Sequence, residues 1–500
     1  MTNDDLEGSL TEKQAHYGTG KEYIKGGRCM YIFSTIALTV EWCDIARVTI
    51  GMLPDVTLLE IIHFYVDEAS IGAWHTLVHV CQKWRIVVFG TPRRLNLRLH
   101  CKSRTPVKEM LDAWPLLPIV VSSDDYKKWG KDNIAEALKH NDRICEVDIC
   151  DMPRSELEIV LAAMQQPFPA LTRLRLRSLA KTAPVVPALF LGGSTPRLRS
   201  LHLYHILFLG LPELLLSATH LVHLELWRIP DYTHISPETM ITCLSTLTRL
   251  ERLGIGFKSP PSRLDWRSQV PPPQTRILLP VLTELRFWGF WGYLDDLVAQ
   301  IDAPLLNKLI IILFHQPIFD IPQLSHFISR TPKLKTQDKA RVVFSSCSVF
   351  VTLPLIFNGT LELKIISRRA DLQLSSMAQV CRSSFIRDFI RTVEHLYIFK
   401  DPQPSNIEGS QWLELFHPFT AVKGLYISRE LVPRIAPALQ ELVGERVTEV
   451  LPALQTLFLE KTLLSTPTIT QIIDRFVAAR ELAKHPIAFI CCFSLKRHAF

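Results

Sequence analysis

The sequence predicts an α/β protein: a small α-helical module followed by an irregular solenoid of repeats that carries a parallel sheet. Three observations predict it. An apolar-x-x-apolar-x-apolar ladder recurs between residues 144 and 460, stretches of helical character separate its rungs, and the segment 53–90 has helical periodicity. The 500 residues are 47% apolar and 21% charged, with a mean hydropathy of +0.15. Such a chain can bury a large core and is not disordered.

Leu53-Pro54-Asp55 opens the module, with Pro54 suited to a first helical turn. Val56, Leu59, Ile62 and Val66 then repeat at helical spacing, and Leu58, Ile61 and Phe64 widen the apolar arc beyond one packing face. A second helix is expected from Trp74 through Leu77, Cys81, Trp84 and Val88, ended by Gly90 and Pro92.

This segment resembles an F-box. Leu53-Pro54, Leu58-Leu59-x-Ile61-Ile62 and Val80-Cys81-Gln82-Lys83-Trp84-Arg85 stand where the family has its leucine-proline start, its leucine-isoleucine helix and its valine-cysteine-x-x-tryptophan-arginine run. The middle departs from the pattern, reading Tyr65-Val66-Asp67-Glu68 and then Trp74-His75 in place of a short leucine-aspartate linker. Trp74 to Val78 and Thr91 to Leu95 are similar to the F-box-like proteins of basidiomycete fungi, a similarity that extends loosely over most of the chain. The resemblance implies docking to the adaptor subunit of a cullin-RING (SCF-type) ubiquitin ligase and presentation of a separate target-binding domain. It places Leu53, Pro54, Leu58, Ile62, Leu77, Val80, Cys81 and Trp84 at positions that face the adaptor or support the docking face. A standard interface of about 1,600 Å² would cover such a module, with Trp84 as anchor. The alternative is a scaffold protein whose helical segment only caps the following domain.

The rungs begin at Ile144, Leu171, Leu198, Leu221, Leu250, Leu282, Leu306, Val393, Val422 and Leu454, the first seven separated by 23 to 32 residues. That period marks a leucine-rich repeat. Between Leu306 and Val393 the ladder falters: Gln337 and Lys339 replace the apolar residues expected after Leu334, and Leu361 and Leu363 keep only the later half of a rung. Helices are expected at Pro212 to Leu216, Ser236 to Leu247, Leu294 to Ile301 and Ile321 to Ile328, with Ser236 as an N-cap. Pro169, Pro196, Pro280, Pro304, Pro332 and Pro452 each stand two residues before a rung's first apolar position, where a preceding segment must stop.

Alternation sends the residues between the inward leucines to an open face. The expected set is Arg173, Arg175, Arg177, Ser200, His202, Tyr204, His223, Glu225, Trp227, Arg252, Glu284, Arg286, Trp288, Lys308, Ile310 and Ile312, in which six Arg/Lys oppose two Glu. Arginines beside aromatics suit protein recognition. The expected target-binding residues are Arg173, Arg175, Arg177, His202, Tyr204, His223, Trp227, Arg252, Arg286 and Trp288, and the expected target an acidic or phosphorylated segment of a protein.

No catalytic, cofactor or metal site is expected, and the chain reads as a non-enzyme. Gly18-Thr19-Gly20-Lys21 lacks the earlier glycine and following Ser/Thr of a phosphate loop. His75 and His79 have i, i+4 spacing, but Thr76 stands where a zinc protease has its glutamate. The net charge of +7 includes no long basic run, which argues against a nucleic-acid partner. Met30 to Val40 is too short to span a membrane. Eleven cysteines without a CxxC pair, together with an acidic N-terminus, suit a reducing cytoplasmic or nuclear setting. The expected plan is an extension over 1–50, the helical module over 51–95, the repeat domain over 96–490 and a tail over 491–500.

Overall fold

A computed structural model describes residues 52–68, 74–92, 94–102, 106–123, 131–230, 235–259, 276–314, 321–335, 337–345, 347–356, 358–367, 370–400, 410–442, 444–460 and 467–492. The 1–50 extension, with its Gly18–Lys21 and Met30–Val40 runs, and most of the 491–500 tail lie outside them. The chain divides into two units, one ending at His100 but including Trp114–Pro118, the other Cys101–Ala113 with Ile119 onward.

The first unit holds helices α1 (Asp55–Glu68), α2 (Trp74–Leu77) and α3 (Gln82–Gly90). Leu58, Leu59 and Ile62 form the buried stripe of α1, whereas Val56 at its first turn is 68% exposed. The single helix expected from Trp74 to Val88 is two helices. Val78–Val80 turns on three-residue hydrogen bonds (His79 N to Thr76 O, 3.2 Å; Val80 N to Leu77 O, 3.2 Å), and Cys81 is extended (φ −161°, ψ 171°) as the N-cap of α3. The seam spacing survives the break because Trp74, Leu77, Trp84 and Val88 are all buried, while Cys81 is exposed. Lys83 fastens α3 to the start of α1, donating to Leu53 O at 2.7 Å and pairing with Asp55 at 3.3 Å. The returning Trp114 meets Trp74 and His75 edge-on, at 5.3 and 4.9 Å between centroids.

The second unit is built on a mostly parallel sheet of sixteen strands, counting β1 (Leu99–Lys102), whose last two residues belong to it. There follow β2 (Ile119–Ser122), β3 (Ile144–Cys150), β4 (Arg173–Arg177), β5 (Ser200–Tyr204), β6 (His223–Ile229), β7 (Arg252–Phe257), β8 (Glu284–Gly289) and β9 (Lys308–Phe314). The later strands are β10 (Lys339–Phe344), β11 (Ser348–Pro354), β12 (Thr360–Ile366), β13 (His395–Lys400), β14 (Gly424–Ile427), β15 (Thr456–Glu460) and β16 (Ala488–Cys492). A separate parallel pair joins Ile277–Leu278 to Ile301–Asp302.

Every rung read from the sequence falls on one of these strands, and equivalent residues pair: Leu174 with Leu201, Leu224 with Leu253, Leu285 with Leu309, Leu425 with Leu457. The leucine and valine that open each rung are all but inaccessible, as are the two inward positions that follow. Helices at Leu211–Ser217, Pro237–Leu244, Trp291–Ala299 and Pro322–Ser329 occupy the expected stretches, and the Ser236 hydroxyl accepts from Thr239 N at 3.2 Å.

The prolines do more than stop a segment. Each sits at the second position of a turn closed by the rung's first apolar N–H, as in Leu171 N to Phe168 O at 3.1 Å and Leu198 N to Thr195 O at 3.1 Å. A fixed φ near −65° suits that corner. Leu221 and Leu250 close the same turn without proline.

The irregular stretch is an antiparallel insertion. The strand order runs β9-β12-β11-β10-β13, so β10 and β12 lie parallel to the rungs they adjoin and β11 runs against both. Leu361 and Leu363 pair with Leu309 and Ile311 and complete the next rung. After Leu334 the inward residues are Ala340 and Val342, aligned with Leu396 and Ile398, further on than the ladder spacing expects. A Cβ at Gly359 would stand 1.8 Å from Asn307 O, so only glycine lets β12 start this close to the end of its neighbour's turn. Near the last strand, Arg480 is wholly buried and donates to the carbonyls of Val447, Leu451, Pro452 and Leu454 at 3.1 to 3.3 Å. Among the described residues no helix is long and apolar enough to cross a membrane.

Candidate functional site

Because the inward positions are leucines, the alternating residues of β3 to β9 share the open face, and register sets their neighbours. The pairings Glu146–Arg173, Asp148–Arg175 and Cys150–Arg177 bring β3 against β4. Arg173 and Arg175 each lie 3.7 Å from a carboxylate, Glu146 and Asp148, and Arg177 lies 3.1 Å from Asp151. The guanidinium groups of Arg177 and Arg228 lie over the Tyr204 ring at 5.2 and 5.7 Å. His202 Nδ1 is 2.8 Å from Glu225, which also accepts from Trp227 Nε1 at 3.2 Å. Burial opposes ionisation of Glu225, but these hydrogen bonds and the His202 charge outweigh it and hold the carboxyl down to about 2.

Trp227 owes its place to two glycines outside the expected set, Gly254 and Gly256. A Cβ on Gly254 or Gly256 would come within 2.6 or 2.5 Å of the indole, so the ring lies flat on β7. Trp288 packs toward Phe314, with centroids 6.4 Å apart. Arg252 reaches His223 Nε2 at 2.8 Å. Glu284 takes both Arg286, at 2.5 Å, and Lys308, at 2.9 Å; burial raises its pKa, but these cations outweigh it and the net shift is downward.

All ten expected target-binding residues are therefore on one face, but the face is not the cationic patch that counting six Arg/Lys against two Glu implies. That count left out Glu146, Asp148 and Asp151 around β3, and Glu362 on β12. The arginines are largely matched, and the aromatics lie against strands and guanidinium groups.

The later rungs carry an aromatic cluster outside the expected set. Tyr397, Tyr426 and Phe458 occupy one register position on β13, β14 and β15 and stack nearly parallel, with centroids 4.1 and 4.2 Å apart. Val343, Phe350 and Phe399 pack beside them, with Arg341 4.8 Å over the Phe399 ring. The signal was present: an aromatic stands four residues after Val393, Val422 and Leu454 alike.

In the helical unit the eight residues expected to face or support an adaptor separate. Pro54, Val80 and Cys81 are exposed and Leu53 is half-buried, while Leu58, Ile62, Leu77 and Trp84 are at most 6% exposed. Trp84 thus supports the module from within instead of projecting as an anchor. Met52, Val56, Phe64 and Ile86, outside the expected set, are all more than 60% exposed.

His75 stacks on Trp74 at 3.8 Å, and burial and then His79 lower its pKa. Among the described residues the one group with metal-ligand spacing is Asp338, Glu394 and His395. Lys423 already pairs with Glu394 at 2.7 Å. Comparison with known proteins finds no family model that matches the chain and no similar curated protein.

Proposed function

We propose that the chain is the target-recognition subunit of a cullin-RING (SCF-type) ubiquitin ligase. In this reading the F-box-like helical unit docks onto the adaptor, and the repeat domain, a leucine-rich-repeat solenoid, holds a target protein. The chain performs no bond chemistry and supplies proximity, holding the target near the ubiquitin carrier in the cytoplasm or nucleus.

The observation that carries the reading is the apolar surface of a very small helical unit. Its buried stripe already contains Leu58, Ile62, Leu77 and Trp84, yet Val56, Phe64, Val80 and Ile86 remain exposed, as does Pro54. Four large apolar side chains left exposed on so small a unit favour an interaction surface. The resemblance of residues 53–85 to an F-box names the partner.

The burial of Trp84 favours a second reading, a scaffold whose helical unit is only a structural cap. The two part on co-purification of the full chain with the ligase adaptor. Adaptor binding by the unmutated chain, weakened at least tenfold in a Val56→Asp/Val80→Asp variant of unchanged melting temperature, supports docking. No binding by the unmutated chain favours the scaffold.

A further inference from the structure

Where β10 and β13 begin, three ligand-type side chains converge. Asp338 directly precedes β10, Glu394 directly precedes β13, and His395 is the first residue of β13. One ligand atom from each lies within 4.8 Å of those of the other two. The backbone holds the three together, because Glu394 N and His395 N both donate to Asp338 O, at 2.7 and 2.9 Å. This is the seam at which the reversed insertion rejoins the ladder.

Three further features suit a cation. Although His395 stands beside two carboxylates, its Nδ1 is buried without a hydrogen-bond partner, and a group left so costs free energy. The imidazole has its place because residue 424, its register partner on β14, is glycine: a Cβ there would come within 2.8 Å of Nδ1. Glu394 already draws a cation, since the Lys423 ammonium lies 2.7 Å from one of its two oxygens.

We propose that Asp338, Glu394 and His395 bind one zinc ion, which ties β10 to β13. Two carboxylate oxygens and an imidazole nitrogen are a donor set that zinc takes at about 2.0–2.2 Å, with water in the fourth position. Calcium and magnesium prefer oxygen ligands alone. Ligands around a tetrahedral zinc stand about 3.4 Å apart, so the three groups must draw in by about 1.4 Å. Asp338 is exposed and can rotate inward. Lys423, whose side chain is 45% exposed, can turn to solvent as the ion enters. The inference stands apart from adaptor docking and target capture: each can fail alone.

The test is isothermal titration of zinc chloride into the full chain, reduced and stripped of metal with a chelator. One site per chain is expected, together with a melting temperature that rises with zinc. Asp338→Asn/His395→Ala should weaken binding at least tenfold, and so should Glu394→Gln, which keeps the side-chain volume. His75→Ala/His79→Ala, which removes the other closely spaced histidines, should leave it unchanged. Cobalt substitution should give visible d–d bands without a thiolate charge-transfer band. Circular dichroism melting without metal verifies that each variant is folded. Absence of zinc binding, or binding that survives the Asp338/His395 double variant, overturns the proposal. So does a thiolate band, which would put the metal on cysteines, or an equal affinity for calcium, which would reduce the site to a patch of negative charge.

Discussion

At the middle position of each rung, the strands from β3 to β9 and then β12 present Asp148, Arg175, His202, Glu225, Gly254, Arg286, Ile310 and Glu362 in turn, whereas β13 to β15 present Tyr397, Tyr426 and Phe458. A parallel, in-register sheet sets equivalent side chains about 4.8 Å apart. Two like charges at that distance repel by roughly 3 kcal/mol in partly shielded surroundings. The charged rungs accordingly never place like carboxylates or like cations side by side: signs alternate, or His, Gly or Ile intervenes. Aromatic rings carry no net charge and can stack on their own kind, gaining about 0.5–1.5 kcal/mol per pair beyond burial. One backbone geometry thus demands alternation from charge and permits repetition from aromatics.

The sharpest way to break this contrast is a charge inside the aromatic run. Tyr426→Asp should cost about 3–5 kcal/mol in denaturant unfolding, because an anion would be buried between two electronegative ring faces. Ile310→Lys, between Arg286 and Glu362, should cost only about 1 kcal/mol. Equal costs would mean that the two stretches do not differ. Next in size is the tryptophan bed: Gly256→Ala should lose about 1–3 kcal/mol and almost nothing when Trp227→Ala is already present, a coupling that a double-mutant cycle reads directly.

The smallest effect is a pH dependence. Folded Glu225 holds its proton far more weakly than the unfolded chain, so its contribution is complete above about 4.5 and is lost as pH falls toward about 2. Melting temperatures from pH 6 to 3 should fall less steeply for Glu225→Gln than for the parent, and an unchanged slope would remove the His202–Glu225–Trp227 network from the stability account.

Much of the architecture was legible because core leucines repeat at a spacing that few alternatives satisfy. The three-residue and two-residue steps within a rung gave strand positions, register and the buried face together. The insertion was illegible for a related reason. Ala340 and Val342 are inward but sit beyond the expected spacing after Leu334, and the reversal of β11 is fixed by contacts distant in sequence. The break at Cys81 was hidden because two helices burying the same side preserve one helix's periodicity. The charge of the open face was misjudged because Glu146 and Asp148 sit in a rung whose inward residues were read while its outward ones were not.

The reversed insertion also bears on how the chain is made. From β3 to β9 each new strand finds its partner as soon as the next rung leaves the ribosome, so the first half can grow as a vectorial, rung-by-rung assembly of local pairings. That progress halts at β9, whose outer edge is met by β12, the last strand of the insertion to be synthesised. Until residue 366 has emerged, a row of unsatisfied amides remains open on a half-built sheet. During synthesis, this edge waits longer for its partner than the edges before it and is correspondingly open to mispairing and to capture by chaperones.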